Sequence, residues 1–204
     1  MNLLKVLKNG YNILKSNNIC SYKIDTELIL CQSLNISREE LILNLNRTIN
    51  LKDYKEFQNK IKRRRAKEPV AYILKKKEFW KNEFYIDKNV LIPRPETEHL
   101  IEETFNIIAV NQTKRLLEIG LGSGCLIISI LKERKKCLAV GIDCCQKALK
   151  IAKFNAKLHH IKNRLKIYKT DVQHPSHKAF SRDHLSNQFR FPHYPSLLPQ
   201  QNSS

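Results

Sequence analysis

The chain has 204 residues, 42% hydrophobic and 27% charged, with five glycines and seven prolines, so it reads as one or two folded domains and not as a fibrous or low-complexity chain. Its 37 basic against 19 acidic residues give a net charge of +18, which would suit a polyanionic partner. The excess is nevertheless mostly lysine, 26 Lys to 11 Arg, spread along a chain rich in Ile and Asn, so direct nucleic-acid binding is not expected. No apolar run is long enough to cross a membrane, and the first twenty residues alternate Leu and Val with Lys and Asn without a leader-type core. A cytoplasmic protein with no membrane partner is expected.

The first ninety residues read as helices. Leu3, Leu4, Leu7, Tyr11 and Leu14 recur at helical spacing, as do Leu28, Ile29, Cys31 and Leu34 after Asp25, which is expected to cap the second helix. Ser37 and Glu40 have the spacing of a capping box before Leu41, and Leu51, Tyr54, Phe57 and Ile61 mark a fourth amphipathic helix. That helix runs into the basic cluster 62–65, expected to be a solvated face at a helix C-terminus; Lys75, Lys76 and Lys77 form the other cluster. Phe79 and Trp80 are separated from Phe84, Tyr85 and Ile86 by Lys81, Asn82 and Glu83, which predicts a hairpin turning on those three polar residues.

Pro93 and Pro95 force an extended segment, after which Pro95 can open a helix bearing Leu100, Ile101, Phe105 and Ile108. The period then changes: strands over 115–119, 137–142 and 165–168 alternate with helices over 126–131 and 146–158. This β-α-β-α-β order specifies an open parallel sheet. Residues 172–204 contain no Ile, Gly or Cys but hold four of the seven histidines and four of the seven prolines. A disordered tail arising from a changed reading frame is expected there. The cysteines, Cys20, Cys31, Cys125, Cys137, Cys144 and Cys145, lack metal-ligand spacing, so reduced and mostly buried thiols are expected and no metal site.

The segment Glu118-Ile119-Gly120-Leu121-Gly122-Ser123-Gly124 follows a strand and opens a helix, the setting of a nucleotide-type cofactor loop. Its third glycine comes four residues after the first, where a dinucleotide fingerprint would need five. Asp143, 23 residues past Gly120 at the end of the next strand, could accept hydrogen bonds from ribose hydroxyls. This spacing favours S-adenosylmethionine over NAD.

Taken in order, RRRAKEPVAYI, KEFW, LIPRPETE and LLEIGLGSG closely resemble the N5-glutamine methyltransferases of peptide chain release factors, the PrmC/HemK family. The resemblance implies an α/β protein: a helical domain over 1–77 that docks a release factor, a hairpin linker over 78–93, and a partial Rossmann-like class I methyltransferase domain over 94–171. It further implies that Gly120, Leu121, Gly122, Ser123 and Gly124 line the methionyl end of S-adenosylmethionine, Asp143 the ribose, and Asp171 with Val172 the adenine edge. The reaction implied is methylation of the glutamine of the Gly-Gly-Gln motif of release factors.

Departures from the pattern limit what is expected of this chain. Residues 73–76 replace a Leu-Thr-Gly type of turn, and the family's Asn-Pro-Pro-Tyr is absent. That motif performs the chemistry, because an amide nitrogen is a poor nucleophile unless carbonyl acceptors hold its NH2 in attack geometry. No catalytic residue is therefore assigned. The chain is expected to end before the later strands of the sheet and to be inactive as it stands, leaving a release-factor or cofactor binding module as the alternative and a basic nucleic-acid-binding protein as the weakest.

Overall fold

The structure, a computed structural model, describes residues 1–170, so the expectations for 171–204, including the disordered tail and its histidines, lie outside the described residues. The chain forms two compact units, Met1–Pro95 and one that begins at Glu96. No helix of the described residues is long and apolar enough to cross a membrane.

In the first unit α1 (Leu3–Ser16), α2 (Tyr22–Leu34), α3 (Arg38–Leu43) and α4 (Leu51–Arg65) are followed by a short α5 (Val70–Leu74). Three of these helices start on side-chain caps: Asn2, Ser37 and Asn50 accept the N–H of Lys5, Glu40 and Asp53 respectively. Leu3, Val6, Leu7, Leu14, Ile29, Leu30, Leu41, Phe57 and Ile61 form the common core. Gly10 lies on the same stripe because α1 passes close to its neighbours. A Cβ there would sit 2.5 Å from Thr26 Cγ2 and 3.0 Å from Phe57 Cζ, and the Thr26 hydroxyl, donating to the Tyr22 carbonyl at 2.6 Å, holds that methyl in place.

Two expectations about charge are corrected. Asp25 does not cap α2, whose N-cap is Ser21; it lies inside the helix and is buried, accepting from Ser21 Oγ at 2.6 Å and from Arg64 Nε at 2.7 Å. The basic run 62–65 is likewise not simply a solvated face. Arg64 is an internal strut tying the end of α4 to the start of α2 and donating also to the Glu68 carbonyl, while Arg63 pairs with Glu68.

The hairpin comprises β1 (Lys76–Phe79) and β2 (Asn82–Tyr85), antiparallel, with Phe79 opposite Asn82 and Glu78 opposite Glu83. Its turn is the two-residue Trp80-Lys81 and not the three polar residues expected, Trp80 taking a φ of 47°. The shorter loop matches strand twist and carries Phe79 and Phe84 into a buried edge-to-face contact. At the departure noted in residues 73–76, Lys75 ends α5 in the left-handed conformation, φ 56°.

The second unit opens with a 3-10 turn over Pro95–Thr97 and α6 (Glu98–Ile107), then alternates β3 (Arg115–Ile119), α7 (Cys125–Glu133), β4 (Leu138–Asp143), α8 (Gln146–Leu158) and β5 (Leu165–Lys169). The strands are parallel in the order β3-β4-β5, as the alternation predicts. Arg134 is buried against this frame, its guanidinium 3.9 Å from the Phe105 ring centroid and its Nε donating to the Ile108 carbonyl at the end of α6.

Because Asp25 and Arg64 are shielded together, removing one leaves the other uncompensated. Arg64→Leu is expected to destabilise the chain by about 3 kcal/mol, and Asp25→Leu with Arg64→Leu to recover more than half of that loss. Urea denaturation followed by circular dichroism measures both; equal losses for the single and double variants would show that the pair is not coupled.

Candidate cofactor site

Parallel strands deliver their C-terminal ends to one edge of the sheet, and β3 and β4 meet there with Ile119 paired to Ile142. The loop that leaves β3 must present several backbone N–H groups before α7 supplies partners. Ile142 accepts two of them on its carbonyl, from Gly120 and Leu121, each at 2.9 Å. Asp143 takes the next: its Oδ2 accepts the Gly122 N–H at 2.8 Å while its Oδ1 accepts the Cys145 N–H at 2.8 Å. Gly124 N–H donates to the Leu121 carbonyl, and the Ser123 carbonyl accepts from the buried Asn155 Nδ2 at 2.9 Å.

The three glycines differ in what they are needed for. All take positive φ, 77°, 55° and 76° for Gly120, Gly122 and Gly124, a region that costs an L-residue about 1–2 kcal/mol. At Gly124 space is short as well, since a Cβ would lie 3.1 Å from Ile128 Cδ1 and 3.4 Å from Ala152 Cβ. Around Gly122 only the Gly120 carbonyl comes within 4 Å of such an atom, and around Gly120 nothing does. The loop is thus locked to the sheet on one side and has bare backbone on the other, where a ligand can approach.

Leu121 and Ser123 are buried. The Leu121 side chain seats on β4 at Gly141, where a Cβ would stand 2.6 Å from Leu121 Cδ1. These two residues position the loop from below. Asp171 and Val172 lie outside the described residues. Reasoning from sequence missed Gly141 and Asn155; the signals present were a glycine inside a strand and a polar residue on the apolar stripe of α8.

Glu118 joins this site. Its carboxyl accepts the Ile127 N–H at 3.2 Å, supplying the cap that Gly124, lacking a side chain, cannot give to α7. Burial pushes its pKa up to about 8; the Ile127 N–H opposes the rise and the nearby Asp143 charge adds to it. The neighbouring Cys125 thiol is pushed up to about 11, chiefly by burial. Since the folded chain holds the Glu118 proton more tightly than the unfolded one, whose carboxyl titrates near about 4.3, this stabilisation is complete below that pH and is lost as pH rises through about 8. The urea midpoint of the wild type is expected to fall more between pH about 5 and about 9 than that of Glu118→Gln, which keeps an acceptor for Ile127. Equal slopes would place the Glu118 carboxyl in its ordinary range.

Known proteins share both parts of this chain. Residues 5–74 match the PrmC N-terminal domain family, and residues 98–182 match the ribosomal protein L11 methyltransferase (PrmA) family. Release factor glutamine methyltransferase of Nitratidesulfovibrio vulgaris is 32% identical over 166 residues, covering 81% of this chain and 56% of that protein. The enzymes so named from Leptospira interrogans and Coxiella burnetii are 35% and 40% identical, over 76% and 69% of this chain and 54% and 51% of their own lengths. The chain therefore spans about half the length of the curated relatives it matches. Residues 5–74 thus fall in the PrmC N-terminal domain family, and most of the chain is similar to proteins named release factor glutamine methyltransferase.

Proposed function

We propose that this chain carries the release-factor-docking and cofactor-binding parts of an S-adenosylmethionine-dependent methyltransferase that acts on the glutamine of the Gly-Gly-Gln motif of peptide chain release factors. The observation that carries the cofactor assignment is the Asp143 carboxylate bonded to Gly122, which joins the loop and the acid into one preformed surface.

When bound, S-adenosylmethionine supplies an electrophilic methyl group on a sulfonium. The chain's own residues do the holding. Bare backbone at Gly120 and Gly122 admits the methionyl end, and each Asp143 oxygen keeps a lone pair free for a ribose hydroxyl. Asp171 and Val172 are assigned the adenine edge by position in the sequence. The helical segment 1–77 is assigned the release factor, with 78–93 as linker and 94–171 as the cofactor domain.

Binding and chemistry separate here. The sequence contains no Asn-Pro-Pro-Tyr, so nothing in it is assigned the task of fixing the amide protons and aiming the nitrogen in line. Misplacing a reacting group by about 1 Å costs on the order of 100-fold, so the 204-residue chain is expected to bind the cofactor without methylating a release factor.

Calorimetry on the purified chain is expected to show S-adenosylmethionine binding that Asp143→Ala weakens by about tenfold or more, the loss of charge-assisted hydrogen bonds. Affinity unchanged by Asp143→Ala would remove the ribose assignment. Labelled methyl transfer to a release factor at ordinary enzyme concentrations would overturn the claim of inactivity.

A further inference from the structure

Three of the six thiols are buried, Cys31, Cys125 and Cys137, so the expectation of mostly buried cysteines is corrected: Cys20, Cys144 and Cys145 are exposed. Cys144 and Cys145 stand side by side immediately after Asp143, and Cys145 is the N-cap residue of α8 with φ −86° and ψ 109°. The N–H of Cys145 is the donor to Asp143 Oδ1 at 2.8 Å. One peptide unit therefore has two tasks: it joins two exposed cysteines adjacent in the chain, and its N–H holds the carboxylate that also accepts from Gly122. The backbone of Cys145 orders the loop, while no packing role claims either exposed thiol.

We propose that Cys144 and Cys145 form a reversible oxidation site for hydroperoxides, and that its closure releases Asp143. The first clause stands on the thiols alone, whereas the consequence for cofactor binding rests on the function proposed above. One thiol sulfur, as thiolate, attacks a peroxide oxygen; the O–O bond breaks, giving a sulfenic acid and water. The neighbouring thiol then attacks the sulfenic sulfur, forming the S–S bond and expelling a second water. Two thiols and one hydrogen peroxide thus become one disulfide and two waters, the two electrons lost by the sulfurs being those gained by the peroxide. The product is an eight-membered ring that includes the peptide bond between the residues. Closing this ring strains and twists the peptide it contains, and in the proposed switch that twist moves the Cys145 N–H off Asp143.

The experiment treats the purified full chain with one equivalent of hydrogen peroxide, alkylates the remaining thiols and maps them by peptide mass. The expected result is loss of two hydrogens confined to the peptide that holds both residues, full reversal by dithiothreitol, and no such product in Cys144→Ser. Oxidation of Cys20 at the same rate, covalent dimers, or separate overoxidised cysteines would overturn the site. In the second arm, S-adenosylmethionine affinity is expected to fall about tenfold on oxidation, the worth of one charge-assisted hydrogen bond, and to be untouched by peroxide in Cys144→Ser. A disulfide formed with affinity unchanged would overturn the coupling. A reduced chain that binds no cofactor would instead overturn the proposed function, and the thiol map would still decide the oxidation site.

Discussion

A chain leaving a strand for a helix exposes a succession of backbone N–H groups that neither element satisfies, and a buried polar group left without a partner costs more than a made bond contributes. In the second unit that need is met by two consecutive residues of the neighbouring strand: the Ile142 carbonyl takes two donors and the Asp143 carboxylate a third. The rest of the site follows from this hand-over. It fixes which side of the loop faces the sheet, forces Leu121 down onto the bare backbone of Gly141, and leaves Gly120 and Gly122 open on the other side. Glu118 completes the frame from the strand below by capping α7.

All of these contacts lie between β3, β4 and the helices that follow them. The loop is therefore held by the two strands β3 and β4 and their helices alone, and the part of the chain that matches its relatives spans about half of their length. Among the described residues β3 pairs with β4 alone, and Ile119 is 58% exposed at its end. An unpaired strand edge with apolar side chains is a template for further pairing, so the same arrangement that makes the loop self-sufficient leaves the sheet open.

The first unit solves a different problem. Its helices are short, and a domain of this size buries little surface, so close approach of helices matters more than it would in a large core. Gly10 permits that approach between α1 and its neighbours, and the Asp25–Arg64 pair links α2 to α4. A buried ion pair of this kind contributes less to net stability than to fixing one arrangement of the helices, since its desolvation offsets much of the attraction.

Periodicity in the sequence was sufficient for the helices of the first unit, the alternation of the second, and the glycine loop with Asp143, because all of these rest on local patterns or on spacing within one β-α-β unit. It was insufficient wherever the partner is distant along the chain. Asp25 looks like a helix cap by its neighbours and is a buried anion because Arg64, thirty-nine residues away, meets it. Trp80 looks like part of a strand and is a turn residue because the pairing of Phe79 with Asn82 leaves two residues for the loop. Gly141, Asn155 and the capping role of Glu118 became visible only once α7 and α8 were folded onto the sheet. Local pattern determines which elements form and where a loop opens; the identity of the group that fills, caps or neutralises each position is decided by what tertiary packing brings within hydrogen-bond distance.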